Sequence, residues 1–229
     1  DAAREGFVQA LADHGYTDGD TIVLDYQNAQ GDSSALLTIS QRFVGDDCDL
    51  VLAIGTGAAQ SIASQTSEIP VLITAVTDPV DAGLVQSSEA PGTNVTGTND
   101  MNPIREQLEL IPEILPDAQT VGLLYTSSED NSILQIEEAK AILEEMNLDY
   151  VEQTVTGSND VQQAVQSILG KCDALYIPTD NTLGASAALV GSAAQTAKIP
   201  VFWGEGNCVA EGGLASLGLD YYNLGRQTG

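Results

Sequence analysis

The stretch Cys48-Asp49-Leu50-Val51-Leu52-Ala53-Ile54-Gly55-Thr56-Gly57 decides the fold. Its apolar run is too short for a helix and shows no polar alternation. A strand buried on both faces reads this way. The Gly-Thr-Gly that stops it leads into Ala58–Thr66, rich in small residues and helical in pattern. Ile69-Pro70 then opens a second buried run, Val71-Leu72-Ile73-Thr74-Ala75-Val76. Strand, helix and strand in that order make a parallel pair with a helical crossover.

Outward from this unit the alternation continues. Upstream, Ala3, Phe7, Val8 and Leu11 recur at helical spacing before Gly15, Thr21–Tyr26 reads as a strand, and Ala35–Val44 as a helix. Downstream the pattern predicts helices over Pro103–Leu115, Asn131–Met146, Asp160–Leu169 and Thr182–Ala197. Strands fall at Thr120–Tyr125, Asp149–Val155, Ala174–Ile177 and Val201–Trp203. In the 131–146 helix, Ile133, Ile136, Leu143 and Met146 mark the expected buried stripe, and Glu137, Glu138, Glu144 and Glu145 the wet face.

The opening unit also repeats. Cys48-Asp49, Ile69-Pro70-Val71 and Gly83-Leu84 recur, in order and at near-constant separation, as Cys172-Asp173, Ile199-Pro200-Val201 and Gly213-Leu214. The fold class expected is therefore α/β, with two similar doubly wound parallel-sheet lobes and an interlobe cleft. Ligands of such sheets sit outside the carboxyl ends of the strands.

Charge and composition remove several functions. Against 33 acidic residues stand 7 basic ones, a net charge of −26. Arg4, Arg42, Arg105, Lys140, Lys171, Lys198 and Arg226 are scattered singly, which excludes a nucleic-acid footprint and attraction to an anionic membrane. The hydrophobic share of 43% excludes a disordered acidic tail. No apolar run approaches the ~18 residues of a membrane span. The chain opens directly in a helical pattern, so a targeting segment is expected to have been removed. Cys48, Cys172 and Cys208 lack metal-ligand spacing and His14 is the sole histidine, so no metal is expected and the thiols should be free and buried.

The loops after the strands carry the candidate chemistry: Gln27–Asp32, Gly55–Gly57, Thr77–Pro79, Thr98–Asp100, Thr126–Ser128, Thr179–Asn181 and Gly204–Asn207. Ordinary turn and cap chemistry accounts for any one of them; as a set they converge on one edge. Gly55-Thr56-Gly57 can offer helix N-terminal N–H groups to an anion, for which a carboxylate suits better than a nicotinamide cofactor. It is also a partial dinucleotide fingerprint, with Asp78 near where a ribose-binding acid would sit, but Gln60 stands at the third glycine. Asp180 and Glu205 can receive an ammonium or cap helices. Tyr125 and Trp203 can stack on an apolar group, or in the case of Trp203 fill the core. No nucleophile elbow or phosphate loop is present, and His14 lies within the first helix, so no catalytic residue is assigned and no cofactor is expected.

Five segments carry a resemblance. They are Asp1–Phe7, Asn28–Asp32, Ala75–Val80, Asn94–Gly97 and Asp220–Thr228. On these the chain resembles the ABC-transporter substrate-binding proteins of the tryptophan/tyrosine type, which have the type I periplasmic-binding fold, and the match runs essentially end to end. This implies a non-enzymatic, periplasmic or extracellular receptor, often lipid-anchored and monomeric. Such a receptor closes two lobes on a small molecule and delivers it to a membrane permease. The ligand implied is an aromatic or other apolar amino acid. Lobe 1 is expected over 1–98 with 218–229 and lobe 2 over 99–217, with Thr96–Asp100 and Leu217–Tyr221 as hinge crossings. The family pattern also has a first strand before the helix at Asp1, and that central strand of lobe 1 is expected to be missing here.

The roles then expected are specific. Thr56, Gly57 and Thr77 receive the ligand carboxylate, with Asp78 beside them. Asp180, helped by Glu205, receives the ammonium. Asn181 and Ser127 add hydrogen bonds, and Tyr125 or Trp203 faces the side chain. The alternatives are a nicotinamide-dependent oxidoreductase built on Gly55-Thr56-Gly57 and a sensory ligand-binding module of the same fold.

Overall fold

The computed structural model describes residues 2–229; Asp1, which opens the first family-like segment, lies outside them. The chain divides into two compact units, Asp1–Met101 with Asp220–Gly229, and Asn102–Leu219.

Unit 1 holds helices α1 (Ala2–Asp13), α2 (Ser33–Gly45), α3 (Thr56–Ala63) and α9 (Tyr221–Thr228), and strands β1 (Val51–Ile54), β2 (Val71–Val76) and β3 (Val95–Asn99). The strands form one parallel sheet in the order β1-β2-β3. Its core joins Val51, Ala53, Val71, Ile73, Val76 and Val95 to Ala59 and Ile62 of α3. The α9 helix packs on β2 and β3 and against α1. Glycine sets that helix pair: a Cβ on Gly6 would lie 2.0 Å from the Tyr222 carbonyl oxygen, and one on Gly225 1.9 Å from that of Ala3. Behind α9, the Thr98 hydroxyl donates to Thr74 Oγ1 at 3.2 Å and meets Thr228 Oγ1 at 2.8 Å, fixing the helix to two strands.

Unit 2 holds α4 (Ile104–Ile114), β4 (Thr120–Thr126), α5 (Asp130–Glu145), β5 (Asp149–Val155), α6 (Val161–Leu169), β6 (Ala174–Ile177), α7 (Asn181–Ala185), α8 (Ala187–Ala197), β7 (Val201–Trp203) and β8 (Ala215–Ser216). Its parallel sheet runs β5-β4-β6-β7-β8. Every residue of β6 is 0% exposed, so both faces of the sheet are covered. The chain is thus an α/β protein whose parallel sheets are flanked by helices. Cys172 and Cys208 are free and buried, with burial pushing their thiols up to about 11 and about 12. Cys48 is free and only partly buried.

Four local expectations need correction. Thr21–Tyr26 forms no strand: one isolated bridge joins Asp18 to Ile22, and Val23 is 88% exposed. An extended segment becomes a strand only with a ladder partner, and it has none among the described residues. Thr98 and Asn99 close β3 rather than opening a loop. The expected helix over Thr182–Ala197 breaks at Ser186, whose backbone (φ −107°, ψ 13°) divides α7 from α8. On α5, Ile133 is exposed and the buried stripe runs through Ser132, Gln135, Ile136, Ala139, Ile142 and Leu143.

Candidate functional site

In unit 1, β1 and β2 end at the residues expected to hold an anion. Gly55 stands at φ 92°, a turn that places its C=O to start α3, and no side chain caps the helix. Thr56 is buried and Gly57 exposed in that uncapped first turn. Thr77 is buried at the end of β2. Asp78 serves its own turn, with Oδ1 accepting from the N–H groups of Val80 at 2.8 Å and Asp81 at 3.1 Å. Just before them, Ala75 adopts φ 54° where the β2–β3 register shifts. A non-glycine residue in the left-handed region costs energy and marks a bulge.

In unit 2 the strand-end loops build a denser polar cluster. Asp180 is 2% exposed. Its Oδ2 accepts from Thr126 N at 2.7 Å and Ser132 Oγ at 2.9 Å, and its Oδ1 from Thr126 Oγ1 and Leu183 N, each at 2.8 Å. A carboxylate has about four acceptor positions, and donors of this unit fill them. The ammonium expected at Asp180 therefore meets a saturated group, because the same carboxylate caps α7 and straps β4 and α5 to it. Burial, with the charge of Glu129 nearby, raises its pKa.

Glu129 mirrors this arrangement. Its Oε2 accepts from Asn181 N at 2.9 Å and Asn181 Nδ2 at 2.8 Å; its Oε1 accepts from Thr182 N at 2.9 Å and Thr182 Oγ1 at 2.7 Å. Asn181, expected to face a ligand, here serves Glu129. Ser127 donates from both its N–H and its hydroxyl to the Val155 carbonyl, at 2.9 and 3.2 Å.

The aromatic candidates stand elsewhere. Trp203 is 1% exposed within the unit 2 core beside Val201, Leu183 and Cys208, so its faces are covered by core side chains. Tyr125 is half-buried, and its hydroxyl donates to Glu152 Oε2 at 3.0 Å; Lys140 stands 3.3 Å from the same oxygen. Burial and Glu152 raise the phenol's pKa. Glu205, half-buried just before a 3-10 turn, has its carboxyl raised by burial, with an Asn207 side-chain bond opposing.

The cluster includes residues that the sequence did not single out. Gln135, 0% exposed, donates to the carbonyls of Asn131 at 2.9 Å and Thr179 at 3.2 Å, and its Oε1 accepts from Thr179 N at 3.2 Å. Asn131 Nδ2 donates to the Thr179 carbonyl at 3.0 Å. Asn102 Nδ2 donates to Thr179 Oγ1 and, at 3.3 Å, to Gln135 Oε1. Deeper in the unit, the Tyr176 hydroxyl donates to Gln107 Oε1 at 2.7 Å, and Gln107 Nε2 donates to the Leu217 carbonyl at 2.8 Å. The available signal was spacing: Ser132, Gln135 and Ala139 share the helical stripe with Ile136 and Leu143. No group of His, Cys, Asp and Glu able to hold a metal occurs among the described residues. No described helix is long and apolar enough to cross a membrane.

Comparison with known proteins adds the relationship. A family model described as ABC transporter substrate binding protein matches residues 1–229. A tyrosine-binding protein of Clostridioides difficile is 44% identical over 229 residues, covering 100% of this chain and 66% of that protein. A crystal structure described as an ABC domain in complex with L-Trp, from Streptococcus pneumoniae, superposes with a TM-score of 0.96 at 40% identity, over 99% of this chain and 77% of that one. A conserved domain protein from Vibrio cholerae superposes with a TM-score of 0.97 at 40% identity, with the same coverage.

Proposed function

We propose, from the premise that this chain belongs to the ABC transporter substrate-binding protein family, that it is a receptor for an aromatic amino acid, tryptophan or tyrosine. The family match over residues 1–229 carries this reading. Relatives that bind tyrosine or hold L-Trp give it a ligand class. Those relatives are binding proteins and not enzymes, and we extend this to a non-catalytic role here. The same match favours the receptor over an oxidoreductase, and Gln60 still stands where the dinucleotide turn needs its third glycine. The family is extracytoplasmic; the proposal places the protein outside the cytoplasm as a lipid-anchored monomer that serves a membrane permease.

Within unit 1, Thr56, Gly57 and Thr77 are assigned to the ligand carboxylate. The uncapped first turn of α3 supports this, because its N–H groups favour an anion. Within unit 2, Glu205 is assigned the ligand ammonium: it is half-buried at the carboxyl end of β7, and burial raises its carboxyl. Asp180, Asn181 and Ser127 hold the loops in place. Ligand capture by hinge closure belongs to the same proposal.

A thermal-shift titration tests the ligand class. L-tryptophan or L-tyrosine at a hundredfold excess over Kd should raise stability by about 2.7 kcal/mol. No shift with either amino acid, and a shift with a nicotinamide dinucleotide instead, would reverse the assignment. The Glu205 role has a pH signature. An ammonium favours the carboxylate, so binding expels any proton held at the raised pKa. Affinity should therefore fall as pH drops through that pKa, and Glu205→Gln should flatten the profile in calorimetry. An unaltered profile in the variant would remove Glu205 from the site.

A further inference from the structure

We infer that the side-chain carbonyl of Asn102 accepts a hydrogen bond from the ammonium group of the bound amino acid; this rests on the reading that the protein binds an aromatic amino acid. Asn102 is the first residue of unit 2 and is 4% exposed. Its Nδ2 is spent on Thr179 Oγ1 and Gln135 Oε1, which fixes the amide plane. Its Oδ1 has no hydrogen-bond partner among the described residues. A buried acceptor left without a donor is costly, and native structures keep such orphans where an outside donor or a functional role accounts for them.

The surroundings narrow the donor. Asp180 and Glu129 each already receive four donors. The Thr179 carbonyl receives Asn131, Gln135 and Ser132. Gln135 Oε1 receives two. Asn102 Oδ1 is thus a fully buried acceptor of this cluster without a partner among the described residues, beside Thr179 at the carboxyl end of β6 where ligands of parallel sheets sit. Two further buried polar atoms of unit 2 without a partner, Trp203 Nε1 and Ser216 Oγ, stand outside the cluster, and the first is a donor lying against Gly213. An ammonium is small, carries three donors and is common to tryptophan and tyrosine.

Calorimetry with L-tryptophan on the wild type, Asn102→Leu and Asn102→Asp separates this role from a structural one. Asn102→Asp keeps an acceptor oxygen but loses the Nδ2 donor that ties Thr179 and Gln135. Asn102→Leu loses both. The expected result is about a tenfold loss of affinity in Asn102→Leu, with Asn102→Asp within about threefold of wild type. Equal losses in the two variants would mean that Asn102 acts only through the network, and an unchanged Asn102→Leu would remove it from the site; either overturns the inference while leaving the receptor reading intact. A wild type that binds neither L-tryptophan nor L-tyrosine ends both. Should Asn102→Leu lack a cooperative thermal transition, Asn102→Ala takes its place with the same expectation.

Discussion

Gly97→Ala is expected to destabilise unit 1 strongly. Gly97 sits in β3 at φ 150°, opposite Ile73 of β2. A Cβ built there would lie 2.0 Å from the Ile73 carbonyl oxygen and 2.7 Å from its nitrogen. Those atoms belong to the central strand of a three-stranded sheet and cannot swing aside as a side-chain tip could. The conformation itself also disfavours any L side chain. Overpacking a core typically costs about 1–3 kcal/mol and occasionally more, and here a backbone clash and φ strain act together. We expect at least about 3 kcal/mol, read as a fall of roughly 10 °C in melting temperature. Gly57→Ala makes the control: its added Cβ would meet nothing closer than Leu36 Cδ2 at 3.9 Å, so stability should hold. A Gly97→Ala protein that melts with the wild type would show that β3 can shift away from β2.

Gly97 also illustrates how the sequence was legible. The Asn94–Gly97 segment stood out as part of a family pattern, but the reason for its glycine lies in a strand more than twenty residues away. The apolar runs Val51–Ile54, Val71–Val76 and Ala174–Ile177 announced themselves because burial on both faces demands uninterrupted hydrophobicity. Thr21–Tyr26 carries equal β-propensity and forms no strand, because pairing is a tertiary matter. The polar loops after β1, β2, β4, β6 and β7 fell at strand ends as expected, whereas Gln27–Asp32 follows no strand and Thr98 and Asn99 lie within β3. What sequence could not supply was which polar groups satisfy each other: Gln135 and Ser132 were singled out for neither face of the 131–146 helix, yet both are 0% exposed and belong to the cluster around Thr179 and Asp180. Trp203 took the second of the two roles its position allowed, since a strand-end aromatic is as easily closed over by α7 and the 3-10 turn at Gly206–Glu211 as left open to a ligand.

Asp180 brings the two kinds of reading to one test. The sequence offered it to an ammonium; the structure commits its oxygens to Thr126, Ser132 and Leu183. Asp180→Ala should therefore act first on stability. It strands two N–H groups and two hydroxyls in a buried setting, at about 1–3 kcal/mol for each that finds no new acceptor. Both hydroxyls can rotate toward other acceptors, and removing the carboxylate relieves its burial and its repulsion from Glu129. The sign of that relief follows from the raised pKa. A carboxyl whose pKa is higher folded than unfolded contributes stability below the unfolded value and loses it as pH rises through the folded one. Near neutral pH the wild type already bears that loss, so its removal subtracts from the cost of the stranded donors. A net fall of about 3 kcal/mol, or close to 10 °C, remains the expectation, with tryptophan affinity falling alongside as the 126–132 and 179–183 segments loosen. Asp180→Asn keeps one acceptor oxygen but turns an NH2 group toward donors, so it should lose most of the same stability. The outcome that would restore a direct contact with the ammonium is distinct: Asp180→Asn melting with the wild type in scanning calorimetry while losing tenfold or more in tryptophan affinity.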